Sequence, residues 1–226
     1  MCVICYVPKN TYLPKKDTIR AMWDKNHDGA GVMYKTENNE VFYKKGYFDF
    51  EMFYADLVEI SKRAKEMAIH CRIATSGGVN KEMCHPYPLT NEIGRLKSPF
   101  GNKCDKPIIM HNGIININNI GDLNDTCSYI IKKLVPRYKR TTAFMFDETI
   151  VDHIQDEIGY SKLLIMSQYP TKMIGNWQKD DDGCYYSNLY FKPYMHDYRT
   201  ISGYNVYGAK TKYDLFDSYS LVGYND

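Results

Sequence analysis

The apolar positions of this chain fall into two rhythms. Compact β-branched and aromatic runs at 3–7 (VICYV), 30–35 (AGVMYK) and 40–45 (EVFYKK) predict strands, the last two joined across a TENN turn. At 49–67 a helical period takes over, with apolar residues at 50, 53, 57, 60 and 64 against a polar face, and a shorter helical period covers 15–26. Further strands are predicted at 68–75, stopped by Gly77-Gly78, at 107–113, stopped by Gly113, at 161–168 and in the Tyr-rich stretch 184–191. Helices are predicted at 125–135, with Asn124 or Asp125 as N-cap, and at 147–159, closed by Gly159. Adjacent strands mixed with separate helices predict an α+β fold with antiparallel sheets and helices packed outside them.

Composition narrows the function classes. A chain of 226 residues fits one large domain that can bury a core without disulfides or metals. With 29 basic and 27 acidic residues the net charge is +2, which provides no electrostatic reason to expect nucleic acid or an anionic membrane. No secretory signal pattern or membrane-spanning apolar run is visible. The seven cysteines (2, 5, 71, 84, 104, 127 and 184) are odd in number and without repeat, which favours free thiols and a reducing cytoplasm.

Four stretches carry residues suited to chemistry. Cys2 and Cys5 form a CxxC, but an odd separation in a strand puts them on opposite faces, where they cannot share a metal or pair. Loss of Met1 would leave Cys2 with a thiol nucleophile and an α-amine of pKa about 7.7–8.0 that can take the thiol's proton. Arg72, in HCRIATSGG (70–78), has a planar fork suited to a carboxylate, either a substrate's or a structural Asp's. Asn112-Gly113 ends the strand of MHNG; it reads as two donors for an oxyanion or as an Asn-Gly hairpin turn. Asp125 opens a helix, as an N-cap or as a partner for a substrate ammonium. HDGAG (27–31) and SNL (187–189) read as turns without chemistry of their own.

Taken in order, MCVI, NHDGAG, HCRIATSGG, CHPYPL, HNGIININ and NDTC resemble the motifs of the class II glutamine amidotransferases, whose glutaminase domain is an N-terminal-nucleophile hydrolase. The matching motifs run from residue 2 to about 126, and YYSNLYF extends the resemblance to about 190. The resemblance implies a four-layer αββα sandwich of two antiparallel sheets, spanning 1–226 as a single domain with 191–226 as an extension packed on it. It implies Cys2 as nucleophile with its amine as base, Asn112 and the Gly113 N–H as oxyanion donors, Arg72 and Asp125 as partners of the glutamine carboxylate and ammonium, and Thr75 and Ser76 as pocket lining. No cofactor or metal is implied. The expected reaction is hydrolysis of L-glutamine through a Cys2 thioester, with the ammonia passing to a separate synthase partner; no nucleic-acid or membrane partner is expected, and homo-oligomer assembly stays open. Two alternatives use the same residues differently: an N-terminal-nucleophile amidase acting on a γ-glutamyl or other small amide, and a non-catalytic regulatory module that kept the fold. The chain departs from the family pattern at Val3, where a Gly is usual after the nucleophile, at Asn26-His27 before Asp28, at Ser76, at Cys84 before His85-Pro86 and at Cys127.

Overall fold

The computed structural model describes residues 2–74 and 78–192. Within them the chain runs β1 (Val3–Val7), α1 (Lys16–Lys25), β2 (Ala30–Lys35), β3 (Val41–Tyr47), α2 (Phe50–Ser61), β4 (Glu66–Cys71), β5 (Tyr87–Pro88), α3 (Ile93–Lys97), β6 (Phe100–Gly101), β7 (Ile108–Asn112), α4 (Asp125–Tyr129), α5 (Val135–Arg140), α6 (Glu148–Ile158), β8 (Lys162–Met166), β9 (Lys172–Ile174), β10 (Gln178–Lys179) and β11 (Tyr185–Tyr186). One sheet has the order β10-β11-β1-β4-β2-β3-β6 and the other β5-β7-β8-β9; every pairing is antiparallel.

Strand alternation sorts the apolar residues into three cores, and these define the layers. Val3, Cys5 and Val7 of β1 pack with Ile19, Met22, Phe53 and Leu57 of α1 and α2 on the outer face of the larger sheet. Ile4 and Tyr6, of opposite parity, pack with Met110, Leu164 and Met166 of the smaller sheet, so this core lies between the sheets. Ile109, Leu163 and Ile165 turn the other way, onto Ile130, Leu134, Phe144 and Ile154 of the second helical layer. The result is the αββα sandwich. Val3 is fully buried in the helix-facing core, so its side chain fills the face opposite Ile4.

Several predicted boundaries shift, each for a reason that lies in the partners. The helix expected over 49–67 stops at Ser61, because Glu66 and Met67 already belong to β4. Glu66 is drawn into the sheet by a buried ion pair with Lys35 and a hydrogen bond from the Tyr6 hydroxyl. The strand expected over 68–75 ends at Cys71, after which the backbone turns to the 28–29 loop: Arg72 N–H donates to Gly29 O (2.8 Å), and Asp28 N–H donates to Arg72 O (2.9 Å). Helical backbone continues past 135 to Arg140, through a π-helical stretch Ile130–Leu134 that changes the hydrogen-bond register just before Pro136. The strand expected over 184–191 is only Tyr185–Tyr186, and the chain then turns at Ser187 and Asn188. Thr75, Ser76 and everything from 193 onward lie outside the described residues, so the pocket lining and the docked extension expected there do too. Among the described residues no helix is long and apolar enough to cross a membrane.

Candidate active site

The register of β1 on β4 pairs Val3 with Cys71 and Ile4 with His70. Cys2, one residue before the strand, thereby falls beside Arg72 and Ile73, and its thiol donates to Ile73 O at 3.4 Å. Burial raises the Cys2 pKa, while the Ile73 contact and the Arg72 charge pull the other way. The resting side chain is therefore the protonated thiol, the less nucleophilic form. Cys5 lies in the helix-facing core, as strand parity requires, and all seven cysteines are free.

Arg72 is almost fully buried, and one arm of its fork donates to Gly78 O (2.8 Å). Asp28, which the sequence reading placed in a turn and in the NHDGAG motif without a role of its own, anchors this strand end by accepting the Ala74 N–H at 2.9 Å. Gly31 lets the segment around His85 approach, since a Cβ there would run into His85 O and lie 3.0 Å from Lys44 O.

Asn112 is the last residue of β7, and β7 pairs with β5 and β8. The Asn-Gly pair is thus a strand end and not a hairpin turn. Gly113 has φ +137°, and a Cβ there would strike the Ser161 hydroxyl and lie 2.9 Å from Ser161 Cα. Gly113→Ala is expected to cost roughly 2–4 kcal/mol, because backbone strain and a collision with fixed main chain add. Urea-denaturation midpoints of the two proteins check this; equal midpoints would show that the segment yields freely.

Asn124, not Asp125, caps α4: its side chain accepts the Cys127 N–H at 2.9 Å, while its amide donates to the buried Tyr87 hydroxyl (2.7 Å). Asp125 is left to accept the Ile115 N–H on one oxygen (2.9 Å) and the Thr126 N–H on the other (2.8 Å). Its carboxylate is thereby tied to the segment that follows Gly113.

Sequence reasoning missed the residues that join these parts. Ser187 Oγ accepts the Ile4 N–H (2.8 Å) and is also 2.8 Å from Asn112 Nδ2. Asn188 Nδ2 donates to Cys2 O at 2.8 Å. Two neighbouring residues of the SNL turn thus clip Cys2 and β1 to the end of β7, across the two sheets. The sequence signals were the polar pair inside a Tyr-rich run and the resemblance of YYSNLYF to a family motif, neither of which gave Ser187 or Asn188 a role.

Three further histidines cluster behind this clip. His70 stacks on His85 with ring centres 4.3 Å apart, and His85 lies 6.3 Å from His111. Burial lowers all three pKa values, His70 to about 3 and His111 to about 4, with His85 also well below its ordinary value. Lys45 is buried nearby, donating to Leu96 O (2.7 Å) and Glu82 O (2.9 Å) over the Tyr87 ring, and burial pulls its amine down to about 7. Among the described residues no group of His, Cys, Asp and Glu could hold a metal.

The comparisons with known proteins fit this architecture. Glutamine phosphoribosylpyrophosphate amidotransferase from B. subtilis, solved with ADP and GMP, superposes with a TM-score of 0.51 over 82% of this chain at 15% identity. This chain shares that protein's fold. A second solved structure, described as the allosteric regulatory enzyme of purine biosynthesis, matches with the same TM-score, identity and coverage. The chain covers 41% of the length of each of these two proteins. No family model and no curated protein sequence matches it. The amidotransferase fold agrees with the two antiparallel sheets and their flanking helices; at 15% identity the likeness speaks to fold alone.

Proposed function

We propose that this protein is a glutaminase of the class II amidotransferase type, hydrolysing the side-chain amide of L-glutamine to glutamate and ammonia. The observation that carries the reading is the Ser187-Asn188 clip, which ties Cys2, just before β1 of the larger sheet, to Asn112, at the end of β7 in the smaller one. With Met1 removed, the Cys2 amine accepts the thiol proton and the sulfur attacks the amide carbon. The oxyanion that forms is held by Asn112 Nδ2 and the Gly113 N–H. The amine then passes its proton to the departing ammonia, and water hydrolyses the γ-glutamyl thioester, restoring the thiol. Arg72 and Asp125 take the substrate's carboxylate and ammonium, which leaves the amide at the sulfur.

Hydrogen-bond accounting at Asn112 supports its role. As placed, Nδ2 lies against Ser187 Oγ and Oδ1 is buried with no partner. Rotating the amide by half a turn lets the Ser187 hydroxyl donate to Oδ1 while still accepting from Ile4, and it sends Nδ2 to the position the unpartnered oxygen now occupies. That orientation pairs the Ser187 hydroxyl and Oδ1 and leaves Nδ2 as the one donor without a partner, which an oxyanion would fill.

The ammonia acceptor, on this reading, belongs to a separate synthase partner. The protein is expected to release glutamate from glutamine faster than from larger γ-glutamyl amides. Its intact mass should lack Met1 and gain one adduct at Cys2 with an electrophilic glutamine analogue. Retained Met1 with no adduct would overturn the reading in favour of a non-catalytic module, and preference for larger amides would favour a different amidase.

A further inference from the structure

We infer that Thr126 is a positioning residue for the glutaminase site: its hydroxyl accepts hydrogen bonds from the N–H groups of two buried histidines and donates one to Asp125, locking the ammonium-binding carboxylate to the oxyanion strand. This deepens the reading above and rests on it for the role of Asp125. Thr126 is 1% exposed. Its Oγ1 lies 2.8 Å from His111 Nδ1, 3.2 Å from His85 Nε2 and 3.4 Å from Asp125 Oδ1. A hydroxyl has one proton and two lone pairs, so three neighbours leave few arrangements.

The buried nitrogens without partners select among them. These are His70 Nδ1, His85 Nδ1 and His111 Nε2. His70 Nε2 faces a carbonyl, His111 O at 3.1 Å, and must therefore carry its proton. If Thr126 donated to His111 Nδ1, the His111 proton would sit on Nε2, buried with nothing to accept it. If it donated to His85 Nε2, the proton would sit on His85 Nδ1 with the same cost. Only one arrangement pairs every N–H and O–H. His111 is protonated on Nδ1 and His85 on Nε2, both donate to Thr126, and Thr126 donates to Asp125. Each unpartnered nitrogen is then a bare lone pair, which is cheaper to bury than an N–H. All three rings are neutral, as the stacking of His70 on His85 also favours.

The chain of bonds has a functional direction. His70 is two residues before Arg72, and His111 is one before Asn112. The bonds run from His70 to His111 O, from His111 and His85 to Thr126, and from Thr126 to Asp125, which also holds Ile115 N–H just past Gly113. The hydroxyl thus couples the Asp125 clamp to the oxyanion strand, and His70 ties the strand leading to Arg72 to the same residue, His111.

Long-range proton–nitrogen correlation spectra of the full chain, labelled in histidine, test the tautomers directly. His111 is expected to show a protonated Nδ1 and a bare Nε2, with His70 and His85 protonated on Nε2; a His111 protonated on Nε2 would overturn the proposal. This readout needs no activity, so it decides about Thr126 even if glutamine proves not to be the substrate. Kinetically, Thr126→Val should raise KM for glutamine by about tenfold or more with a smaller change in kcat, and Thr126→Ser should restore it. A folded Thr126→Val protein with wild-type KM, or a Thr126→Ser protein with a fully raised KM, would also overturn it. Should Thr126→Val not fold, the wild-type spectrum and the Thr126→Ser kinetics still decide.

Discussion

Cys2→Ala is expected to lower glutamate release from glutamine by roughly 10⁴-fold or more, because the bond-forming atom is gone and no second nucleophile can replace it. The buried thiols offer no substitute. Cys71 is raised to a pKa beyond the titration range of a nucleophile, and Cys127 is pushed up to about 12, in both cases by burial. The Cys2 thiol itself is raised by burial and donates to Ile73 O, so attack requires a base at hand, and the amine of the same residue is that base in the proposed mechanism. Stability should change by less than about 1 kcal/mol, since Cys2 lies before β1 and outside the three cores. Coupled glutamate assays and thermal melts of both proteins check the two halves of this expectation. Equal rates would remove Cys2 from the chemistry.

Acidification should unfold the protein well before its carboxylates are all protonated. Burial lowers the folded pKa of His70 to about 3 and of His111 to about 4 against an ordinary 6.5, and it also holds His85 well below that ordinary value. The sign follows from proton binding. Between pH 6.5 and the folded values, the unfolded chain binds protons at these rings and the folded chain does not, so stability falls as pH falls. At pH 5 each ring with such a shift costs about 2 kcal/mol relative to neutral pH. Three rings together approach the whole stability of an ordinary domain. The charged groups acting on the cluster are Arg72, Lys45 and Asp125. Arg72 and Lys45 oppose protonation, while Asp125 favours it at His111 without overcoming burial. Urea midpoints at pH 7, 6 and 5 should fall steeply, and His85→Gln, which removes one titrating ring, should flatten the fall. A midpoint that stays level from pH 7 to 5 would mean that the rings are hydrated.

The same histidines show where sequence reading stopped. HxR and HNG were legible as short strands with candidate site residues at or just past their ends, and the ordered motifs implied the αββα sandwich that the structure has. The burial of three rings was not legible. His70 and His85 come from the larger sheet and the segment before β5, and His111 from β7, so only the stacking of two sheets brings them together. Boundaries failed for a related reason. The helical period at 49–67 runs on through Ala64, but Glu66 leaves it because Lys35 and Tyr6 wait for its carboxylate in the sheet.

The sequence by itself determined the element types, the layered class of the fold and the identity of the groups offered to chemistry. Side-chain period and turn residues are local properties, and Cys2, Arg72, Asn112-Gly113 and Asp125 stand at element ends that such properties mark. Only the tertiary structure decided how those groups are held. Asn124 takes the cap and leaves Asp125 its two backbone partners. Val3 turns into the helix-facing core. Ser187 and Asn188, more than 180 residues from Cys2 and Ile4, tie Cys2 and the start of β1 to the end of β7. Bonds between residues so far apart in the chain depend on sheet order and register, which no local pattern encodes.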